Sequence, residues 1–176
     1  MAGLIDRMVR ASKLDVSAYE EVEADKGATG QAAAIVVVSS IAAGIGSIGV
    51  FGIQGLLFMT IGALVGWLIW AFLTFIIGTK LLPEPQTKAD MGEMLRTIGF
   101  SSSPGVLRIL GIIPVIGGII NFVIGIWMLV AMIIAVRQAL DYKSTWRAAG
   151  VCLLGAVIYF VINVLVNAFF ANNGHA

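Results

Sequence analysis

Residues 27–79 read GATGQAAAIVVVSSIAAGIGSIGVFGIQGLLFMTIGALVGWLIWAFLTFIIGT and contain no Asp, Glu, Lys or Arg. Two further uncharged stretches follow at 109–136 and 148–174. A helix needs about 20 apolar residues to cross about 30 Å of hydrocarbon, so the first stretch is long enough for two crossings. Charged residues make up 12% of the chain, against about 25% in a typical soluble domain. The sequence therefore predicts an all-α integral membrane protein.

Glycine and proline divide these stretches into a five-helix transmembrane bundle. The predicted spans are about 31–50, 56–79, 98–114, 118–140 and 147–171. A first break is expected at 49–55, because closely spaced glycines favour a turn. A second is expected after Pro114, because proline ends or kinks a helix.

The third predicted span is the least apolar of the five. Its residues 101–104 are Ser-Ser-Ser-Pro, and it contains Arg108. An Arg at the centre of a span costs about 2.5–3.5 kcal/mol, whereas each Leu, Ile or Phe contributes only about 0.3–0.6 kcal/mol. Segment 101–114 is therefore either a full crossing supported by its neighbours or a short re-entrant helix.

The distribution of charge predicts the topology. With five crossings, all 11 Lys and Arg fall on one side of the membrane, and Arg108 is counted beside the loop between the second and third spans. Cytoplasmic loops carry an excess of Lys and Arg. We therefore expect residues 1–30 in the cytoplasm and a short tail, 172–176, outside.

Short amphipathic helices are predicted on the cytoplasmic side. In segment 1–30 the apolar side chains at helical spacing are Leu4, Ile5, Met8 and Val9. A second helix there is expected to start at Ser17, because Ser17 and Glu20 have the spacing of a capping box. A helix at about 87–98, capped by Thr87, is predicted to lie on the inner leaflet or to dock a partner through Met91, Met94, Leu95 and Ile98.

Small residues recur at helical spacing in the first two spans, namely Gly44, Gly46, Gly62 and Gly66. Helices in a bilayer associate through the close backbone approach that small residues permit, since lipid tails are as apolar as the side chains. These glycines are predicted to pack the chain's own helices, with oligomerisation as the alternative. Trp67 and Trp70 lie too deep for an interfacial belt and are assigned to packing.

Four polar side chains are predicted at membrane depth: Arg108, Asn121, Asn163 and Asn167. Ionisable residues at that depth commonly mark function, so Arg108 is the leading candidate, and snorkelling to the inner interface is its alternative. The three Asn side chains either hydrogen-bond between helices or line a polar pathway.

Catalytic, metal and cofactor sites are not expected. His175 is the only His and Cys152 the only Cys, which leaves no set of ligands for a structural zinc site. The acidic run at 20–25 lacks the loop pattern of a calcium site and is predicted to be a solvated helix face. A net charge of +1 gives no electrostatic case for nucleic acid. The chain is therefore predicted not to be an enzyme.

Several motifs resemble the Yip-domain family of Ypt-interacting proteins. The stretch 97–108, TIGFSSSPGVLR, is similar to the family's third-span signature through Gly99, Phe100 and Pro104, with Pro114 following. The stretch VRQALD, which contains Arg137, is similar to bacterial members. The resemblance implies five spans, a cytoplasmic N-terminus and a short external C-terminus.

Eukaryotic members of that family bind small Rab-type GTPases and carry an acidic Tyr-Gly-Pro-type motif ahead of the first span. That motif is not recognisable here, so GTPase binding is not carried over. The sequence instead predicts a membrane-organising or accessory subunit of a bacterial cytoplasmic membrane. Its partners would be the lipid bilayer and a membrane protein or a second copy. A small transporter or channel is the alternative.

Overall fold

The computed structural model describes residues 3–46 and 48–173, without the side chains of 48–51, 53–57, 59 and 166–173. Within these residues the chain forms seven α-helices: α1 Leu4–Ser12, α2 Val16–Ala24, α3 Ala28–Gly46, α4 Ile48–Ile76, α5 Met91–Ser101, α6 Gly117–Ala139 and α7 Thr145–Asn173. A π-helical turn, Ile77–Leu81, continues α4, and a 3-10 helix, Ser103–Ile112, continues α5. Of the predicted tail, residues 174–176 lie outside the described range.

Four described segments are long and apolar enough to cross a membrane: Ala28–Gly46, Thr60–Leu81, Gly117–Ala139 and Thr145–Leu165. They correspond to the first, second, fourth and fifth predicted spans. The third predicted span, 98–114, comprises the end of α5 and the 3-10 helix. In its described residues the chain is therefore an all-helical membrane protein with four helices of spanning length.

The two ends of the helix bundle differ in charge. We call the basic end the part formed by α1, α2, the connections 82–90 and 140–144, and the helix ends that they join. The turn end is the part around the connection 113–116. Ten of the 11 Lys and Arg lie at the basic end.

Arg108 is the exception. Its predicted position beside the loop between the second and third spans is wrong. A Cβ added to Gly46 would overlap the carbonyl oxygen of Arg108, and Gly46 ends α3 on the side away from the basic end. The reason is that the chain continues after α5 as a 3-10 helix, and each of its residues advances about 2.0 Å rather than 1.5 Å.

The third segment runs parallel to α3. A Cβ on Gly99 would lie 2.6 Å from that of Ala32, and the Ser39 hydroxyl donates a 2.7 Å hydrogen bond to the carbonyl of Ser102. Further along, Arg108 meets Gly46. The segment therefore stays beside α3 from near its start to its last residue.

Both predicted breaks are present. Gly52 has a φ of 63° inside α4, a conformation that glycine adopts without steric cost. Pro114 lies in the connection that reverses the chain between the 3-10 helix and α6. There Val115 has a φ of 70°, and a Cβ on Gly117 would overlap the carbonyl oxygen of Gly111. The turn is thus tight enough to require glycine at that position.

Two predicted helix starts are wrong. Helix α2 is capped by Asp15, whose carboxylate accepts a 2.9 Å hydrogen bond from the Ser17 amide. Helix α5 is capped by Asp90 in a reciprocal capping box with Glu93. In both cases an Asp a few residues from the predicted cap fills the role, because Asp and Ser are comparably good caps.

The structure shows which faces of α1 and α5 are buried within the protein. In α1 the apolar Ile5 and Val9 are 76% and 47% exposed, whereas Arg7 is only 3% exposed. Helix α5 buries Met94 and Ile98, two residues of the face expected to lie on the leaflet. Helix α5 therefore packs inside the protein, between α2, α3, α4 and α6.

The packed core lies at the basic end. One cluster joins the N-terminal helices to α3, α5 and α6 through Tyr19, Ala32, Ile35, Phe100 and Ala135. A second joins α4, α5, α6 and α7 through Ile77, Met94, Val136, Leu140 and Val151. Both clusters lie between the basic end and the central cavity that is described in the next subsection.

Candidate functional site: a central cavity

A cavity of about 500 Å³ lies at the centre of the helix bundle. Residues of α3, α4, α5, the 3-10 helix, α6 and α7 line it. Its wall is mostly apolar, with Val36, Ile98, Met128 and Met132 among its side chains. This volume is in the range of pockets that hold small molecules, about 300–1,000 Å³.

Most polar groups on the wall of the cavity bond to the protein itself. The hydroxyls of Ser39, Ser40 and Ser101 donate to the carbonyls of Ser102, Val37 and Ile98 at 2.7–2.8 Å. The indole N–H of Trp67 donates to the Leu95 carbonyl at 3.0 Å. The bonds of Ser39 and Trp67 tie α3 and α4 to α5, those of Ser40 and Ser101 stay within their own helices, and all four donors are satisfied.

Two buried donors on the same wall are different. Neither the Nε of Arg108 nor the Nε1 of Trp70 has a hydrogen-bond partner among the described residues. Both residues line the cavity. A buried polar group without a partner costs about 1–3 kcal/mol, and a charged group costs more. The cavity is therefore suited to a ligand that accepts hydrogen bonds.

Arg108, Asn121 and Asn163, the predicted polar residues whose side chains are described, lie in different places. Arg108 lines the cavity, whereas Asn121 lies against Gly111, where an added Cβ would overlap its Nδ2. Asn163 is exposed, and its Nδ2 donates to the Tyr159 carbonyl of its own helix at 2.9 Å. The side chain of Asn167 lies outside the described residues. Sequence reasoning found Arg108 but assigned Trp70 to packing.

The packing glycines fall into two groups. Gly46 and Gly99 sit where another helix approaches, and an added Cβ would be too close to Arg108 and Ala32 respectively. Gly44 is buried in α3. By contrast, no described atom lies within 4 Å of a Cβ added to Gly62 or Gly66. Gly66 is open because it lines the central cavity, whereas Gly62 is exposed on the surface of α4.

The remaining motif residues have structural positions. Phe100 is fully buried at the basic end, and Pro104 is buried in the first turn of the 3-10 helix. Arg137 donates from Nε to the Tyr142 carbonyl and from Nη1 to Thr145 Oγ1, each at 3.2 Å. It therefore fixes the connection between α6 and α7.

Ion pairs hold the N-terminal helices in place. Arg7 pairs with Glu21 at 2.9 Å and Asp25 at 2.8 Å, and Arg10 pairs with Glu21 at 2.6 Å. Hydrogen bonds from Arg10 and Arg7 keep the pKa of the Glu21 carboxyl below its usual range. Part of the acidic run at 20–25 is thus engaged in ion pairs, not only solvated.

A second cavity of about 500 Å³ lies at the basic end beside Glu23. Burial, followed by repulsion from Glu93, Asp141 and Glu20, raises the pKa of Glu23 to about 7. No cluster of three or more metal-ligating side chains is found in the part of the chain that the structure describes. This cavity is therefore an acidic cleft whose charge changes near neutral pH.

Comparison with known proteins gives one match. The family model of the Yip1 domain matches residues 16–165. Neither the curated proteins nor the solved structures contain a match to the chain. The matched range extends from the start of α2 through the described side chains of α7, and it includes every segment that lines the central cavity.

Proposed function

Because the chain belongs to the Yip1 domain family, we propose that it is a non-enzymatic, membrane-organising accessory subunit that binds a membrane protein or a second copy of itself. The observation that carries this proposal is Gly62, which is exposed on α4 and where an added Cβ would meet no described atom within 4 Å. A small residue on an exposed helix face allows another helix to approach closely, and in lipid this close packing is a main source of helix association.

Assembly is the property to measure. In mild detergent we expect the protein to elute larger than a monomer or with a co-purifying membrane protein. Gly62→Leu should weaken that assembly, because its side chain would fill the open face. Gly30→Leu is the matched control, since Gly30 is equally open but lies at the basic end of α3. A wild-type protein that is monomeric and free of other proteins would count against the proposal.

We further propose five crossings in a bacterial cytoplasmic membrane, with the basic end in the cytoplasm. The parallel path of the third segment along α3 supports this, together with the charge of the basic end. Gly118→Cys tests it, because Gly118 is exposed in the turn end and its Cβ would meet no described atom within 4 Å. Gly30→Cys marks the other side, and the native Cys152 is buried.

The labelling pattern has opposite outcomes for the two topologies. With five crossings, a membrane-impermeant maleimide reaches residue 118 from outside intact cells and reaches residue 30 only after the cells are opened. A re-entrant third segment would leave residue 118 protected from both sides.

A small transporter is the second candidate, and only Arg108 in the central cavity favours it. If it is correct, Arg108→Leu should change the flux of at least one ion in liposomes. Unchanged flux of every tested ion would remove its support.

A further inference from the structure

The central cavity is lined by two buried hydrogen-bond donors that have no partner among the described residues. Among the residues that line it, Ser39, Ser40, Ser101 and Trp67 donate within the protein. In the described part of the chain, Arg108 Nε and Trp70 Nε1 remain unpaired. Two unpaired donors lining one cavity favour a ligand whose oxygens accept from both.

The charge of Arg108 is also unbalanced. All ten Asp and Glu of the chain lie at the basic end, in α1, α2, the start of α5 and the adjoining connections. None of the described ion pairs includes Arg108. Arg108 is partly buried, with its Nε fully buried, and pairing offsets the cost of burying a charge, which favours a counter-charge from a bound anion.

The position of the guanidinium restricts what that anion is. Arg108 Nη2 lies 3.8 Å from where Gly125 would carry a Cβ, and Gly125 is in the interior of the spanning helix α6. The absence of a side chain at Gly125 leaves room for the guanidinium beside that helix. An anion at this depth is surrounded by apolar wall, which suits an anion that carries its own apolar chain.

The cavity also reaches the outer surface of the helix bundle. Leu129 of α6 and Tyr159 of α7 line it and are 48% and 41% exposed. They form a rim between these two helices, on a face that lipid contacts. A molecule from the bilayer can therefore enter sideways.

We propose that the central cavity binds one anionic phospholipid, whose phosphate oxygens accept hydrogen bonds from Arg108 and Trp70 and whose acyl chain lies against Met128 and Met132. An Arg guanidinium matches phosphate geometry through two parallel hydrogen bonds. The pairing supplies the missing counter-charge, and the apolar wall of the cavity replaces the lipid that would otherwise surround the acyl chain. This site is distinct from the proposed partner contact of α4 at Gly62, which does not line the cavity.

The test compares lipids on the purified full-length chain in neutral detergent. Phosphatidylglycerol should raise the midpoint of thermal unfolding and remain bound in native mass spectrometry, whereas phosphatidylcholine should do so at least about tenfold more weakly. Arg108→Met should lower phosphatidylglycerol retention by about tenfold or more, since a hydrogen bond to a charged group is lost. The same substitution should raise the midpoint without lipid, because an unpaired buried charge is removed.

Two further variants complete the design. Trp70→Phe removes only the indole donor and should weaken retention by about threefold, the effect of one neutral hydrogen bond; it also serves if Arg108→Met does not fold. Lys88→Met removes one exposed positive charge at the basic end and should leave retention unchanged. Equal binding of both lipids, full retention by Arg108→Met, or equal protection by inorganic phosphate as an adventitious ion only would each overturn the proposal.

Discussion

The basic end and the turn end of this protein are stabilised in different ways. At the basic end, Phe100, Met94 and Tyr19 are completely buried, and Arg7 and Arg96 are almost completely buried with their donors paired. At the turn end, Val115 is 97% exposed and Phe122 is 69% exposed. The same apolar composition is therefore used for internal packing at one end and for contact with lipid or a partner at the other.

The difference shows what each environment requires of the chain. Where the helix ends meet water, burial of apolar area stabilises the fold by about 25 cal/mol per Å². Within lipid that driving force between helices is absent, so association there depends on close packing and hydrogen bonds. The central cavity lies between these two regimes, and Arg108 is the charged group that neither regime satisfies.

The difference in stabilisation between the two ends is tested most directly by replacing one Phe at each end. Phe100→Ala should destabilise the protein by about 3–5 kcal/mol, because it leaves a cavity in the packed cluster. Phe122→Ala should change stability by about 0.5 kcal/mol or less, because its side chain faces outward. Unfolding in mixed micelles with increasing denaturing detergent measures both, and equal losses would refute the division into two regions.

Arg96 is expected to make the next largest contribution to the stability of the basic end. It is 4% exposed, and its Nε donates at 3.0 Å to the carbonyls of Val22 and Glu23 at the C-terminus of α2. Arg96→Met should cost about 2–3 kcal/mol, because hydrogen bonds from a charged donor to buried acceptors are lost. Lys88→Met, an exposed change of the same charge, is the control.

The loss of the Arg96 hydrogen bonds should also be detectable locally, at the connection after α2. Limited proteolysis should cut the connection after α2 faster in Arg96→Met than in the control, because α2 loses its attachment to α5. Equal cleavage rates in both variants would show that the hydrogen bonds of Arg96 do not hold α2 in place.

The spanning helices were predictable from the sequence, and the reason is physical. Long uncharged runs have no stable place except in lipid, and Gly52 and Pro114 break them because of backbone constraints that act locally. The helix starts at Asp15 and Asp90 were missed, since Ser17 and Thr87 offered caps of similar quality nearby. Because neighbouring residues are capping residues of similar strength, the sequence alone does not determine at which residue these helices begin.

The burial of α1 and α5 was not predictable in this way. Periodicity shows which face of α1 is apolar, but the ion pairs of Arg7 involve residues 14 positions away and more, and they bury the charged face. In the site, Arg108 was visible as a charge in an apolar run. Trp70 was not distinguished from Trp67, because only the fold shows that one indole is bonded and the other is not.

Glycines in helix contacts and glycines at open positions give a further test of how the protein is packed, with a smaller expected effect on stability. Gly99→Ala should destabilise the protein by about 1–3 kcal/mol, because the new methyl group would overlap Ala32 in a tightly packed contact. Gly62→Ala should leave the monomer unchanged or stabilise it by up to about 1 kcal/mol, since Ala is the better helix former. Detergent unfolding measures both, and the two variants changing stability in the same direction would contradict the assignment.

The smallest predicted effect concerns the charge of Glu23 at the basic end. Its pKa is raised from 4.5 to about 7 by burial and by repulsion from Glu93, Asp141 and Glu20, while Arg96 acts in the opposite direction. The folded state therefore binds the proton more tightly than the unfolded state. Its stabilising contribution is complete below about pH 4.5 and is lost as the pH rises through about 7.

Glu23→Gln should keep the uncharged form at every pH. We expect its thermal unfolding midpoint to equal that of the wild type at pH 4 and to exceed it at pH 7.5, where the free energies of unfolding differ by at most about 1 kcal/mol because solvent screens a partly exposed group. Asp6→Asn, whose side chain is 59% exposed, controls for loss of a negative charge. A midpoint difference that did not change between these two pH values would show that the acidic cleft does not titrate with folding.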